Sequence, residues 1–214
     1  MTTVRKWANV AVAMESALAA ADTITGITKA NPAVVTATAH GLNNGDYVLL
    51  SVQGMWQLDQ KVVRVANKTT DTFECEGVNS TSYETFSTGS AYAITYGTTL
   101  SSIATISASG GDFDFIDTST IHSNVKSQIP GQANALTYSF ENLWDMSDTA
   151  QLAMKAASDA QSTKCFKFTF GSGGPIMVFN GYVGYAGAPT GNAQDKITSP
   201  AVITCYGTPT YYAS

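Results

Sequence analysis

Side chains able to do chemistry are few in this chain, and they are densest in GGDFDFIDTSTIHSNVKSQIPG, from Gly110 to Gly131. The stretch holds Asp112, Asp114, Asp117 and His122. Nucleophilic catalysis needs a base beside a Ser or Cys, and His122 with Asp117 and Ser119 supplies the residue types of a triad. No GxSxG elbow or comparable element accompanies them, so the frame that aims a nucleophile is missing. The three aspartates also have the types of a calcium loop. They alternate with Phe113, Phe115 and Ile116, and neither EF-hand spacing nor a closing Glu follows. In an extended chain, DFDF puts both carboxylates on one face and both phenyls on the other. The simpler expectation is an edge strand with a wet acidic face and an anchored apolar face.

Other candidates reduce in the same way. His40 precedes Gly41 in AHGL and reads as the opening of a turn. GSGG at Gly171–Gly174 lacks the helix or GK[ST] of a phosphate cradle, and a hairpin loop accounts for it. Cys75, Cys165 and Cys205 are odd in number, far apart and without CxxC, which argues against a disulfide framework or a zinc site. Cys165 and Cys205 sit in apparent strands as small core residues. Trp7, Trp56 and Trp144 could be ligand platforms. Trp144 precedes a helix and is expected in the core, whereas Trp56 in GMWQLD is expected to be exposed. No catalytic residue, metal ligand or cofactor site emerges, and an enzyme is the least favoured class.

Composition points away from nucleic-acid binding. Lys and Arg number 11 against 16 Asp and Glu, giving a net charge of −5, and no basic run occurs. Charged residues are 13% of the chain, about half the usual ~25%. Thr, Ser, Ala and Gly fill the difference, which suits strands and close subunit contacts. MTTVRKW is followed by ANVAVAMESALAAA, where Glu15 interrupts the apolar run that a signal peptide needs. No stretch is apolar for long enough to span a membrane. The chain is expected to be made in a cytoplasm and to stay soluble or assemble there.

The elements that position these residues are mostly strands. Asn9–Ala17 alternates, with Val10, Val12 and Met14 on one face. Between Ile24 and Tyr96 short strands recur at regular spacing, with Gly41 and Gly45 in the HGLNNGD turn, as in a small β-barrel or sandwich. LSSIATISASGG is a further strand. Leu136, Tyr138 and Phe140 share one strand face; Phe166, Phe168 and Phe170 share another, with Lys167 and Thr169 opposite. FGSGGPI joins two strands. MSDTAQLAMKAASDAQS predicts one helix, capped by Ser147 or Asp148, with Asp148 and Gln151 as a loose capping box. Leu152, Ala153, Ala156, Ala157 and Ala160 would form its apolar stripe. The fold class is mainly β: a sandwich or barrel with one flanking α-helix, plus an inserted small β-barrel-like domain. Residues 1–25 and 97–214 would form the core domain and 26–96 the insertion.

That order of parts is recognisable. IATISASGGDFDFIDTSTIHSNVKSQIPG, ALTYSFENLWDMSDTAQLAMKAASDA and KCFKFTFGSGGPIMVFNGYVGYAGAPTGNAQDKITSPAVITCYGTPT together resemble the tail tube proteins of long-tailed bacteriophages. The resemblance runs from Ile103 to Thr210 and lies in the order and spacing of the parts. HGLNNGDYVLL, DTFECEGV and the following GS resemble small β modules that recur in phage structural proteins.

The resemblance implies a tail-tube-type fold and a subunit that forms hexameric rings stacked into a hollow tube. Inner sheets of neighbours would join into a continuous barrel, closing the edges that isolated strands leave open. The stretch from Asp112 to Gly131 would be an intersubunit arm. Phe113, Phe115, Ile116 and Ile121 would anchor it, Asn124 and Gln128 would hydrogen-bond, and Pro130-Gly131 would turn the chain back; Asp112, Asp114, Asp117 and His122 lie on it. Implied partners are further copies of the chain, a tape-measure protein, a tail terminator and tail-tip proteins. DNA would pass through the lumen without specific binding, past an acidic wall. No cofactor, metal or membrane is implied, and the site of action would be the virion tail, assembled in the host cytoplasm. The helix would lie outside the barrel, and the insertion would decorate the outer wall. Competing expectations are a β-rich receptor- or glycan-binding virion module and an inner tube of a contractile tail.

Overall fold

A computed structural model describes Trp7 and residues 9–213. Alternating apolar and polar side chains make strands wherever one face can be buried. In chain order these are β1 (Val10–Met14), β2 (Ala17–Leu18), β3 (Asp22–Ile24), β4 (Gly26–Ile27), β5 (Ala33–Thr36), β6 (Tyr47–Gln53), β7 (Val62–Ala66), β8 (Thr72–Cys75) and β9 (Thr88–Thr95). Then come β10 (Thr98–Thr99), β11 (Ile103–Ser109), β12 (Phe113–Asp117), β13 (Gln128–Ala133) and β14 (Thr137–Leu143). Helix α1 (Thr149–Asp159) precedes β15 (Thr163–Phe170), β16 (Ile176–Tyr185), β17 (Thr198–Cys205) and β18 (Thr210–Tyr212). The fold is mainly β with one α-helix, as the sequence indicates.

The strands form two large antiparallel sheets and one separate ribbon. The first sheet runs β10-β1-β15-β16-β17-β14-β11, with β18 also paired to β16. In this order β1 and β11 stand five places apart, roughly 24 Å in a flat sheet at about 4.8 Å per strand. Yet Val10 and Val12 of β1 line one cleft of about 370 Å³ with Ile103 and Ile106 of β11. The sheet therefore rolls onto itself. Its interior is aromatic: Tyr138 stacks on Phe179 and meets Phe168 edge-on, both at 5.4 Å between ring centroids. Phe166 and Phe168 are buried there as their alternation requires, and Phe170 packs at the margin. The FGSGGPI segment is the β15–β16 loop, as expected.

Helix α1 covers part of this core, but not with the expected stripe. Its cap is Asp148, whose carboxylate accepts from the Ala150 N–H at 2.9 Å. Ala150, Gln151, Met154 and Ala157 are the buried positions; Leu152 is 45% exposed, and Ala156 and Ala160 are exposed too. Gln151 is a buried anchor and does not complete a capping box. Its Nε2 donates to the Leu143 carbonyl at 2.6 Å and the Ser102 hydroxyl at 3.1 Å, while its Oε1 accepts from the Tyr185 hydroxyl at 2.8 Å. These bonds tie the helix to three separate segments and turn its buried face one residue away from the alanine row. Trp144, expected in the core, is only partly buried and donates from Nε1 to the Gly187 carbonyl at 3.0 Å.

The second sheet runs β2-β9-β6-β7-β8-β5-β4, with β3 also paired to β9. Its own core includes Val35, Val48, Leu50, Val63, Val65 and Phe73. The HGLNNGD turn has Gly41 and Gly45 at φ +67° and +92°, where L side chains are strained. A third cluster, Leu49, Val62, Cys165, Val178 and Tyr212, joins the two units. The β18 segment clamps this junction: the Tyr212 hydroxyl accepts from the Arg64 N–H at 2.6 Å, and the Thr210 hydroxyl donates to the Val62 carbonyl at 2.9 Å. Glu15, nearly buried, pairs with Lys164 at 3.0 Å and accepts from the Cys165 N–H at 3.1 Å.

Candidate functional site

The ribbon of β12 and β13 belongs to neither large sheet. Its register places Phe115 opposite Pro130, Ile116 opposite Ile129 and Asp117 opposite Gln128; a bulge then sets Phe113 opposite Ala133. The root is a sharp exit from β11. Gly110 and Gly111 have φ +83° and +86°, and a Cβ on Gly110 would collide with the Ala135 carbonyl. Gly111 N donates to Asn134 O at 3.1 Å, and Asn134 N donates to Asp112 O at 2.8 Å. Near the tip, Thr118 N donates to Ser127 O at 2.8 Å, and the Ser119 hydroxyl accepts from Ser127 N at 3.0 Å. The IDTST segment is thus a hairpin-closing motif. Asp117 Oδ1 accepts from the Ser119 N–H at 2.8 Å, and the Ser119 hydrogen bonds hold its carboxyl below the usual range.

Every residue from Ser107 to Pro130 is exposed. The expected apolar anchors are therefore not anchored within the chain: Phe113, Phe115, Ile116 and Ile121 are 54%, 63%, 55% and 97% exposed. This overturns the picture of an edge strand with one face buried, because among the described residues no second layer lies under the ribbon. Val125 and Ile129, at 80% and 50% exposure, belong to the same apolar set and were not singled out by sequence. Their signal was present: they are the remaining large aliphatics of a stretch otherwise made of polar and turn residues. A two-stranded ribbon is marginal in water on its own, and a contiguous apolar patch marks a contact surface.

Catalytic geometry is not assembled around these residues. Asp117 is turned to Ser119, and His122 and Asn124 make no side-chain hydrogen bond among the described residues. Asp114 accepts weakly from the Asn134 amide at 3.2 Å. Among the described residues no three His, Cys, Asp or Glu side chains converge to hold a metal ion. His40 is buried, with Nδ1 accepting from Leu42 N at 3.1 Å and Nε2 lying 3.3 Å from the Thr72 carbonyl, so it closes its turn. Cys75, Cys165 and Cys205 are free and buried; burial pushes the Cys75 and Cys205 thiols up to about 12 and Cys165 higher still. Trp56 is 69% exposed, as its sequence context suggests. Among the described residues no helix is long and apolar enough to cross a membrane.

What the arrangement offers is an uncovered apolar ribbon and open backbone edges. Among the described residues β12 has no strand partner besides β13, and β11 pairs only with β14. Such edges invite pairing with another chain. A search of curated proteins gave no match. A family model described as phage tail tube protein, TTP, matches residues 53–214, which begins within β6 and extends through both large sheets and the ribbon.

Proposed function

The chain belongs to the phage tail tube protein family, and from that membership we propose that it polymerises as stacked, hexameric rings into the conduit through which DNA leaves the capsid. The observation that carries the reading is the protruding ribbon, whose large apolar side chains find no cover among the described residues of their own chain. In this reading the segment from Asp112 to Gly131 is the intersubunit arm, with Phe113, Phe115, Ile116 and Ile121 as its anchors, joined by Val125 and Ile129. Residues 1–25 and 97–214 are the tube-forming domain, and 26–96 form a module on the outer wall. The separate apolar clusters of the two large sheets support a division into two units, with β2 and β3, inside the first 25 residues, paired to β9 of the second sheet.

Ring contacts of this kind are heterologous and close by rotation, whereas stacking is open-ended. The open end calls for a length gauge and a stop, here a tape-measure protein, a tail terminator and tail-tip proteins. The net charge of −5 suits a wall that DNA slides past, since phosphate binding needs cations. The subunit then acts in the virion tail after assembly in the host cytoplasm.

The deciding experiment is negative-stain electron microscopy of the purified protein over a concentration series, beside a chain lacking residues 112–131. Stacked rings or striated tubes from the full chain, and a folded monomer from the deletion, are expected. Normal tubes from the deleted chain would overturn the role of the arm. A monodisperse full-length particle even with a tail-tip seed would favour a receptor- or glycan-binding virion module.

A further inference from the structure

An intersubunit arm needs a landing place, and one cleft in this chain has chemistry complementary to it. The cleft, about 360 Å³, lies where the two large sheets meet. One wall carries Trp56 and Lys61, and the other carries Tyr206 and Thr208. Trp56 and Tyr206 are 69% and 44% exposed. Lys61 is half-buried and makes no ion pair among the described residues. Asp59, on the same rim, is already turned to the Val52 N–H at 3.0 Å. Burial also holds the Lys61 ammonium below the ordinary lysine range, as expected of a cation lacking its counter-charge.

The arm carries what this cleft lacks. Asp112 makes no side-chain hydrogen bond or ion pair among the described residues, and Asp114 has only the long contact to Asn134. Both alternate with exposed phenyls, and the outer edge of β12 is unpaired. We propose that β12 of a second copy enters this cleft edge-first, turning its Asp112 and Asp114 carboxylates to the wall that carries Lys61 and its Phe113 and Phe115 rings to the opposite wall that carries Tyr206. Edge-first entry suits a two-walled cleft, because the two faces of a strand point opposite ways. Charge complementarity selects the second copy as occupant: an acidic, apolar ribbon meets an uncompensated cation between two aromatic rings. The proposal rests on the arm reading above and adds to it the partner surface.

Reciprocal charge reversal tests it. Assembly of K61E, of D112K/D114K and of the combined K61E/D112K/D114K chain is followed by sedimentation across concentration, with thermal melts to confirm folding. Lys61→Met, which keeps the aliphatic stem, is the control for a lost contact without repulsion. Each charge reversal should raise the critical concentration roughly tenfold or more, as expected for like charges brought together at an interface. The methionine variant should show a smaller rise, and the combination should return to within about threefold of wild type if the pairing is restored. Wild-type assembly by K61E, or a combination no better than the poorer parent, would overturn the landing site. Those results leave the arm itself standing if the chain lacking residues 112–131 still fails to polymerise. Normal tubes from the deleted chain would sink both.

Discussion

Replacing Phe113, Phe115 and Ile116 together by serine separates assembly from folding. These side chains are 54%, 63% and 55% exposed in the single chain, so about half of each remains to be buried on docking. Full burial of such a side chain contributes about 1.5–3 kcal/mol, and the remaining half about 0.8–1.5 kcal/mol. Three of them give about 2.5–4.5 kcal/mol per docked arm by the same area scale. At about 1.4 kcal/mol per decade, the critical concentration for adding a subunit should rise roughly 10²- to 10³-fold. The monomer should hardly change, because exposed substitutions shift stability by about 0.5 kcal/mol or less each. For a chain of this size that is a melting shift within about 6 °C. The assay is pelleting across concentration, checked by electron microscopy, beside a thermal melt of the dilute protein. Tubes forming at the wild-type critical concentration from a folded triple mutant would refute the reasoning. A melting drop well beyond that range would show instead that these residues stabilise the single chain.

Gln151→Ala should act in the opposite way, lowering stability by about 2–4 kcal/mol because the buried Gln151 and its partners on β14, β16 and the loop before β11 lose their bonds; a thermal melt reads it as a fall of roughly 4–16 °C. The three cysteines should resist a thiol reagent at mildly alkaline pH in the folded protein and all react on denaturation, since burial keeps their thiols protonated and covered. Rapid labelling of the native protein would contradict the buried junction around Cys165. The Arg64 guanidinium holds the Glu76 carboxyl below its ordinary 4.5. Its contribution should therefore be present above that value and fade as pH falls through the lower, folded one. Glu76→Gln should flatten the stability profile in that acidic window, and parallel profiles for the two proteins would refute it.

Which features were legible in the sequence depends on the range of the interaction that makes them. Phe166 and Phe168 read as core because alternation is local, and the helix read as a helix because Asp148 caps it within two residues. The buried face of that helix did not, because Gln151 is driven inward by the Leu143 carbonyl and the Tyr185 hydroxyl, partners supplied by distant segments. Lys167 reads as lying on the strand face opposite Phe166 and Phe168. It lies over the rings of Tyr47 and Tyr96, at 5.2 and 4.9 Å, because the second unit covers that face of the sheet. The ribbon was legible as an acidic stretch with regularly placed apolar residues. That those residues stand free was not, since alternation states which face a side chain takes and not whether anything lies against it.

The exposed ribbon gains its meaning from the completeness of everything else. Each large sheet buries its own aromatic or aliphatic cluster, and a third cluster seals the contact between them. Tyr212 and Thr210 of β18 lock that contact through hydrogen bonds to Arg64 and Val62, so the two units present themselves to a neighbour as one piece. Other exposed large apolar residues, such as Leu18 and Leu152, lie apart in the sequence, and isolated apolar side chains are ordinary on a protein surface. The ribbon gathers six between Phe113 and Ile129 on a scaffold with no second layer beneath it among the described residues. The two sheet cores bury the phenyl rings of Phe73, Phe140, Phe166, Phe168 and Phe179, so folding alone gives no reason to hold Phe113 and Phe115 out. In the proposed reading their cover comes from another copy of the chain. A surface poor in charge makes that cover inexpensive to form, because burying Ser, Thr and Ala costs less desolvation than burying Lys or Glu.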